Sequence, residues 1–394
     1  MPMLAFALAL LLVAALPASA SAKVRPGPGG IAFYNPPSPL PGKGHGGAIW
    51  ARRLSGPAAL RGGGGNRLML YRSRGLGGNA VAVSGAVTLP KGKAPRGGWP
   101  VVAYGHGTTG IADTCAPTLD SPTNPAHRLI AYANPLLRRW VKAGYAVVRT
   151  DYEGLGTPGP HPFLIGRSEG SSVLDAIRAA RKVDKRIGRR VVLAGHSQGG
   201  HAVLWAASLA PRYTPELKVR GTLALAPASH LGEQAALLRG LTTPGGLSGS
   251  ASMILRGIDL AEPGLTVTAG LSDRAAALYP QTLTECLPAL ASPQSFGGLA
   301  PSDLLRSDAD ISGVVAALNR QDPETLKIRT PVRIQQGTAD ATVFKLFTDP
   351  LAVEYRERGT KVVYKTYKGV DHGGAVTNAR SARDATRYIR RRLG

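Results

Sequence analysis

One serine in the sequence stands in the setting of a nucleophile. The motif Gly-His-Ser-Gln-Gly at 195–199 follows the apolar run 191–194 and precedes a segment with helical spacing. A tight turn from strand to helix strains the backbone of its central serine and leaves no room for neighbouring side chains, which explains the flanking glycines. The hydroxyl group would also stand at the positive end of the following helix. We therefore predict Ser197 as a nucleophile.

A serine hydroxyl group needs a base to remove its proton. Of the eight histidines, His372 follows the last predicted strand and precedes the last predicted helix. Asp340 follows the predicted strand 332–336 and is the best candidate for the acid that orients the imidazole and stabilises its charged form. The chain order Ser197, Asp340, His372 is that of α/β-hydrolases and differs from the orders of chymotrypsin-like and subtilisin-like enzymes. We predict these three residues as a catalytic triad.

Attack on a carbonyl group creates an oxyanion that needs hydrogen-bond donors. Gln198, the residue after the predicted nucleophile, would supply one backbone N–H group. The glycine-rich run 105–110 follows the strand 101–104, where the second donor is expected. Thr108 is the candidate for this donor and Gly107 is the next choice. An ordinary glycine-rich turn would explain the same run.

Other kinds of site have little support in the sequence. No histidine or cysteine cluster has the spacing of metal ligands, and no phosphate-binding loop motif occurs, so we expect no metal and no organic cofactor. Asp151 and Glu153 follow the predicted strand 146–148 and could form a pair of carboxylates. No second pair and no cluster of aromatic residues that could bind a sugar accompanies them, which favours a structural role near the pocket.

The remaining sequence predicts the elements that would position these residues. Short apolar runs alternate with helical segments, as expected for a mostly parallel sheet that is covered on both faces. The predicted strands are 68–71, 80–89, 101–104, 146–148, 191–194, 222–226, 332–336 and 362–367, the first two as an antiparallel pair. The predicted helices are 131–142, 170–187, 199–210, 348–358 and 378–392, and residues 173, 177, 180, 183 and 187 form one apolar stripe.

The elements divide the chain into a core with an insertion. Residues 67–229 and 326–394 would form the core, preceded by an extended arm at 23–66 that is rich in proline and glycine. The segment 230–325 is too long and too apolar for a plain connection, and we interpret it as a cap. Its stretches Met253-Ile254-Leu255 and Leu265-Thr266-Val267 could line an acyl pocket or form the core of the cap.

The N-terminus predicts export. The apolar run 4–16 is followed by small residues that fit a cleavage site after Ala20 or Ala22, so residues 1–22 are interpreted as a signal peptide and the protein as secreted. No later segment resembles a membrane span. In an exported chain, the two cysteines, Cys115 and Cys286, are expected to form one disulfide, with two free thiols as the alternative. This bond would tie the cap to the core.

Charge gives weaker information. The chain has 48 Lys and Arg against 24 Asp and Glu, a net charge of +24. Such a balance is typical of proteins that bind nucleic acids or anionic surfaces. The basic residues are scattered, aromatic residues make up 6%, and no nucleic-acid-binding motif occurs, so we expect no nucleic acid as a partner. A cationic surface and transient contact with a lipid interface are the remaining expectations.

Five motifs together resemble a known family. They are Tyr-Gly-His-Gly-Thr at 104–108, Asp-Tyr-Glu-Gly-Leu-Gly-Thr at 151–157, Gly-His-Ser-Gln-Gly-Gly at 195–200, Gly-Thr-Ala-Asp at 337–340 and Asp-His at 371–372. With them, residues 30–394 resemble the secretory lipases, a family of α/β-hydrolases. The resemblance implies the triad above, a helical cap between the sixth and seventh strands, and hydrolysis of acylglycerols or other carboxylic esters.

The sequence thus predicts an α/β-hydrolase fold with a mostly parallel sheet, flanking helices and an inserted helical cap. The predicted function is that of a secreted serine hydrolase that cleaves a lipid or small ester through an acyl-enzyme. Three alternatives stay open: a short-chain carboxylesterase, an acyltransferase with the same triad, and a non-catalytic binding protein.

Overall fold

The computed structural model describes residues 24–394, so the predicted signal peptide lies outside the described residues. The strands are β1 (Ala48–Arg53), β2 (Gly65–Arg74), β3 (Ala80–Leu89), β4 (Trp99–Gly105), β5 (Ala146–Thr150), β6 (Ile187–His196), β7 (Lys218–Leu225), β8 (Val332–Gly337) and β9 (Val362–Tyr367). The α-helices are α1 (His127–Ala131), α2 (Asn134–Lys142), α3 (Gly166–Val183), α4 (Gln198–Tyr213), α5 (Leu231–Arg239), α6 (Leu247–Ala261), α7 (Asp273–Leu278), α8 (Leu287–Leu290), α9 (Ser312–Gln321), α10 (Lys345–Glu357), α11 (Gly374–Thr377) and α12 (Ala379–Leu393).

The nine strands form one sheet in the order β1-β2-β3-β5-β4-β6-β7-β8-β9. The pairs β1–β2, β2–β3 and β3–β5 are antiparallel, and every pair from β5 to β9 is parallel. Helices α3, α4 and α10 contribute to the apolar cluster on one face, and α2, α11 and α12 contribute to the cluster on the other. The predicted fold class is therefore confirmed. Strands covered on both faces need apolar side chains on both, which explains the continuous apolar runs.

Two segments differ from the prediction. The arm predicted at 23–66 contributes strand β1, which pairs with β2 along Ala51 to Arg53 and adds an edge to the sheet. The strand was hard to predict because its sequence, Ala-Ile-Trp-Ala-Arg-Arg, does not alternate between apolar and polar residues and is surrounded by prolines and glycines. The helix predicted at 170–187 ends at Val183, and Ile187 instead begins strand β6. Ile187 is apolar because it packs in the sheet core, which the helical spacing alone could not distinguish.

The insertion between β7 and β8 contains α5 to α9 and several 3-10 turns. It supplies most of an apolar cluster that includes Met253, Leu290 and Phe296, all without solvent exposure, and Ile111 and residues 163–165 of the core also belong to this cluster. Because β1 adds a strand, the insertion follows the seventh strand rather than the sixth. Within residues 24–394, no helix has the length and apolar character needed to cross a bilayer.

The parallel register brings four strand ends to the same edge of the sheet. Gly105 of β4 lies beside Gly195 of β6, and His196 lies beside Leu225 of β7. Leu225 in turn lies beside Gln335 of β8. Loops that leave these strands at their carboxyl ends therefore meet at this edge, where open α/β sheets carry their binding sites.

Candidate active site

Ser197 occupies a strained turn between β6 and α4. Its φ and ψ angles of 58° and −121° are unusual for a residue other than glycine. A Cβ atom on Gly195 would lie 2.0 Å from the carbonyl oxygen of Gly199, and one on Gly199 would lie 2.0 Å from the carbonyl oxygen of Gly105. The turn therefore requires both glycines, which agrees with the physical reason given for the motif. The backbone N–H of Ser197 donates to the carbonyl of Leu225 at 2.9 Å and ties the turn to β7.

Asp340 and His372 are joined by a hydrogen bond. His372 Nδ1 donates to Asp340 Oδ2 at 2.8 Å, and the other carboxylate oxygen accepts from the backbone N–H groups of Thr342 and Val343, both at 2.9 Å. Burial alone would raise the pKa of Asp340, but the hydrogen bonds and the neighbouring imidazole outweigh it and lower the pKa. The carboxylate thus stays charged and fixes the tautomer of His372 with Nε2 free to accept a proton.

His196, which precedes Ser197 in the chain, contacts His372. The rings of His196 and His372 lie 4.5 Å apart between centroids, and His196 Nε2 donates to the main-chain carbonyl oxygen of His372 at 2.9 Å. No direct hydrogen bond joins the hydroxyl of Ser197 to His372 among the bonds of the described residues. In ligand-free sites, such catalytic bonds are often long and tighten on substrate binding.

His196 was not predicted to do more than support a glycine turn. A carbonyl oxygen only accepts, so Nε2 of His196 must carry the proton and Nδ1 must accept, and the donor to Nδ1 is the hydroxyl group of Tyr132. Burial and the nearby His372 lower the pKa of His196 to about 3 and keep this ring neutral. Tyr132 could not be predicted from the motifs, because it lies outside them, between α1 and α2.

The two oxyanion candidates lie near Ser197. Thr108 lines the same pocket as Ser197 and Gln198. Gly107 is packed tightly, since a Cβ atom there would lie 3.0 Å from the Tyr132 hydroxyl and 3.1 Å from Nδ1 of His196. The neighbourhood agrees with a donor on this loop but does not distinguish Thr108 from Gly107, so the assignment stays a prediction.

A buried network of hydrogen bonds connects the first turn of α4 to Glu169 and His161. The side-chain amide group of Gln198 donates to Glu169 Oε1 at 2.8 Å and to His161 Nε2 at 2.9 Å. Glu169 also accepts from the backbone N–H of Leu164 at 3.0 Å and lies 3.4 Å from His201 Nδ1. All these polar groups are buried, and burial without partners would be costly. The network fixes the side chain of Gln198 and so favours a fixed main-chain N–H.

Asp151 and Glu153 do not form a carboxylate pair. Asp151 accepts from the hydroxyl groups of Ser84 and Thr118, whereas Glu153 accepts from Ser168 and the backbone N–H of Leu76. Burial raises the pKa of Asp151 to about 6, despite the hydrogen bonds that oppose the shift. These contacts tie the loop after β5 to β3 and α3, and they agree with the structural role that the sequence favoured.

The pocket beside Ser197 is mainly apolar and is walled by the cap. Apolar cap residues on its wall include Leu231, Leu247, Ile254, Leu255, Leu304 and Leu318. Of the two apolar stretches singled out in the sequence, 253–255 contributes Ile254 and Leu255 to this pocket, while Met253 packs in the cap core. The stretch 265–267 borders a separate cleft on the cap. Ile254 and Leu255 therefore lie on the pocket wall, whereas Met253 belongs to the core of the cap.

The structure contains the disulfide between Cys115 and Cys286, which have no solvent exposure. Cys115 lies in the loop after β4, and Cys286 immediately precedes α8 of the cap. A short bridge between Gly110 and Cys286 adds backbone pairing at the same place. The bond closes a separation of 171 residues and fastens the cap to the core beside the oxyanion candidates.

A serine on a strained strand-to-helix turn, at the carboxyl edge of a mostly parallel sheet and beneath an inserted cap, defines the α/β-hydrolase class. Within that class, the model of the secretory lipase family matches residues 126–394, and the chain belongs to this family. The family predicted from the five motifs is thus confirmed.

Individual relatives agree with this assignment. The chain is 29% identical to Lipase A of Moesziomyces aphidis over 309 residues, which cover 74% of this chain and 63% of that protein, less than two thirds of its length. It is 25% identical to the secreted triacylglycerol lipase LIP7 of Malassezia globosa over 382 residues, or 92% of this chain and 78% of that protein. The X-ray structure of Candida antarctica lipase A superposes with a TM-score of 0.73 at 23% identity, covering 86% and 80% of the two chains.

Proposed function

We propose that the chain is a secreted serine hydrolase that cleaves carboxylic esters of acylglycerols through an acyl-enzyme. One observation carries the proposal: Ser197 lies on a strained elbow whose open side faces an apolar pocket built by the cap. A strained elbow is costly and persists where it exposes a reactive hydroxyl group. Membership in the secretory lipases and the names of the relatives support the same activity.

The mechanism follows from the polar contacts of the site. His372 takes the proton of Ser197 through Nε2 as the hydroxyl oxygen attacks the ester carbonyl. Asp340 accepts from Nδ1 of His372 and stabilises the imidazolium that forms. The backbone N–H of Gln198 and a second N–H from Thr108 or Gly107 stabilise the oxyanion. The alcohol leaves with the proton from His372, and a water molecule activated by the same base then releases the acid.

The pocket favours esters with long acyl chains over short ones. Its wall of leucine and isoleucine side chains would bury methylene groups, and each buried CH₂ contributes about 0.8 kcal/mol. Acetyl and butyryl groups would leave most of this surface without contact. We therefore favour a triacylglycerol lipase over a short-chain carboxylesterase.

The domain and export assignments are part of the proposal. Residues 1–22 would act as a signal peptide that directs the protein out of the cell, and 230–325 would act as a cap over the core formed by 67–229 and 326–394. The insertion supplies most residues of one apolar cluster, which supports its treatment as one unit packed on the core. The disulfide supports an oxidising compartment, where such bonds persist.

The test is hydrolysis of p-nitrophenyl esters from acetate to palmitate, together with an emulsified triacylglycerol. Ser197→Ala should lose at least about 1,000-fold in kcat, because the nucleophile is removed. Ser250→Ala is the matched control, since Ser250 lines the same pocket, and it should retain activity. We expect wild-type activity to rise with chain length.

Each contrary outcome identifies one alternative. Equal activity of Ser197→Ala and wild type would refute the elbow as the reactive centre. Activity confined to acetate and butyrate would favour a carboxylesterase. Ester products that exceed free acid when an alcohol is added would favour an acyltransferase.

A further inference from the structure

We propose that His230, Glu324 and Glu354 form a binding site for one divalent metal ion, for which zinc fits best. The site lies outside the pocket described above and does not depend on the proposed function. The three residues come from separate elements: His230 begins the cap, Glu324 lies in the 3-10 turn Pro323–Thr325 at its end, and Glu354 lies on α10 of the core. A bound ion would therefore fasten both ends of the cap to the core.

The ligand atoms have the separations that a single ion requires. Nε2 of His230 lies 3.1 Å from Glu324 Oε2 and 3.2 Å from Glu354 Oε1, and the three ligand atoms lie within 4.8 Å of one another. Zinc bonds to nitrogen and oxygen ligands measure about 2.0–2.2 Å, which sets two ligands of a tetrahedral ion about 3.3 Å apart. The structure thus holds these atoms close to coordination distance with little rearrangement.

The charge around the site calls for a cation. The chain has a net charge of +24, but the ion pairs of Glu324 and Glu354 are made with a histidine. Both glutamates share His230 as this partner. Two carboxylates and one imidazole therefore face each other with an excess of negative charge. A divalent ion would neutralise both carboxylates.

Two further features point to a prepared site. His230 is 4% exposed and has a φ of 52°, a left-handed conformation that is strained for histidine, and its ring stacks on Phe347. Oε2 of Glu354 is buried and has no hydrogen-bond partner, so this oxygen is free to complete the coordination of an ion. Buried polar atoms without partners are rare in native proteins and call for an explanation.

The ligand types select the ion. An imidazole nitrogen with two carboxylate oxygens suits zinc and other transition ions, whereas calcium and magnesium take oxygen ligands. The side chains of Glu324 and Glu354 are 29% and 26% exposed, so water can reach the remaining coordination position. A closed structural site with four protein ligands is not formed, and we expect exchangeable zinc of micromolar affinity.

The test measures metal binding by the untagged full-length mature protein. After dialysis against EDTA, zinc is titrated by calorimetry, and bound zinc is counted by mass spectrometry after gel filtration. We expect one zinc per chain in the wild type and at least tenfold weaker binding in Glu354→Gln and in Glu324→Gln. Glu357→Gln is the matched control, because Glu357 lies exposed on the same helix. Calcium should not bind at the same concentration.

Thermal melting gives a second readout that separates binding from misfolding. Zinc should raise the Tm of the wild type and of Glu357→Gln, and it should leave the Tm of Glu354→Gln and His230→Asn unchanged. Asparagine tolerates the left-handed conformation of residue 230, so this variant should fold. No zinc uptake by the wild type, or equal uptake by Glu354→Gln, would overturn the proposal whether or not the protein hydrolyses esters.

Discussion

Residues behind the predicted triad control its geometry. His196 precedes Ser197, and its ring donates to the main chain of His372, so one side chain links the turn that carries Ser197 to the loop that carries His372. Tyr132 fixes the tautomer that makes this link, because its hydroxyl group supplies the proton that Nδ1 accepts. We therefore expect His196 and Tyr132 to be positioning residues, which act through His372 rather than on a substrate.

Replacing Tyr132 with phenylalanine should lower kcat without changing KM. The change removes the hydrogen bond to His196, which is worth about 1.4 kcal/mol or about tenfold in rate, and it leaves the apolar ring in place. Tyr145→Phe is the control, because Tyr145 is also buried but has no contact with His196. Steady-state kinetics on a p-nitrophenyl ester, with melting temperatures of both variants, measure the effect. A loss of equal size in both variants would contradict the positioning role.

Asp151 gives the stability a pH dependence that a substitution can isolate. In the unfolded chain its carboxyl group ionises near pH 4, whereas in the fold burial raises its pKa to about 6. Between these pH values the folded state holds a proton that the unfolded state has lost, so the free energy of unfolding falls as pH rises. The shift of about two pH units corresponds to a loss of about 3 kcal/mol in the free energy of unfolding. This loss is absent below about pH 4 and complete above about pH 6.

We therefore expect Asp151→Asn to become relatively more stable as pH rises from about 4 to about 7. Urea unfolding of both proteins across this range measures the difference in the free energy of unfolding. Asp175 has a similarly raised pKa but is present in both proteins, so its effect cancels. A difference that does not change with pH would mean that Asp151 ionises normally in the fold.

Among the elements, the strands of the sheet were predictable, whereas the helices of the cap were not. The strand predicted at 80–89 agrees with β3 at both ends, because a strand buried on both faces has a nearly continuous apolar run. The strand predicted at 362–367 agrees with β9, an edge strand in which half-buried and exposed residues alternate along most of its length. The 3-10 turns and short helices of the cap obey no single period, since they pack around a small apolar cluster rather than on a sheet. The sequence therefore predicted that a cap is present, but it did not predict the bounds of the helices in the cap.

The same distinction applies to the functional residues. The motif around Ser197 is local, and so the sequence could identify the strained turn from five adjacent residues. The cluster of His230, Glu324 and Glu354 depends on chain segments that meet only in three dimensions. The sequence prediction excluded metal ligands because it searched for close spacing along the chain. Gly199 was predictable because it belongs to this motif, whereas Tyr132 was not, because it lies 64 residues before its partner His196 in the chain.

Helix α6 of the cap offers a test of the acyl pocket. Ile254→Trp adds bulk to the pocket wall and should lower kcat/KM for palmitate at least about tenfold relative to acetate, since a filled pocket excludes long chains first. Leu283→Trp is the control, because Leu283 is exposed on the cap and does not line the pocket. Chain-length profiles of both variants measure the effect. An unchanged profile for Ile254→Trp would place the acyl chain elsewhere.

At the scale of the molecule, the last helix carries a row of exposed arginines. Arg380, Arg383, Arg387 and Arg390 recur at helical spacing on the exposed face of α12, and its opposite face packs against the core through Ala385 and Ile389. With a net charge of +24, this face strengthens an already positive field. Such a field attracts anionic surfaces at long range and is screened by salt.

We therefore expect the mature protein to bind vesicles that contain phosphatidylglycerol and to bind pure phosphatidylcholine weakly. Binding should weaken between about 0.1 M and about 1 M salt, because the Debye length falls from about 10 Å to about 3 Å. Co-sedimentation at both salt concentrations measures it, with the inactive Ser197→Ala variant used to prevent lipid hydrolysis. Replacing Arg383, Arg387 and Arg390 by glutamine should reduce the anionic preference more than replacing Arg53, Arg96 and Arg189, which are exposed elsewhere. Salt-independent binding would instead assign the contact to the apolar surface of the cap.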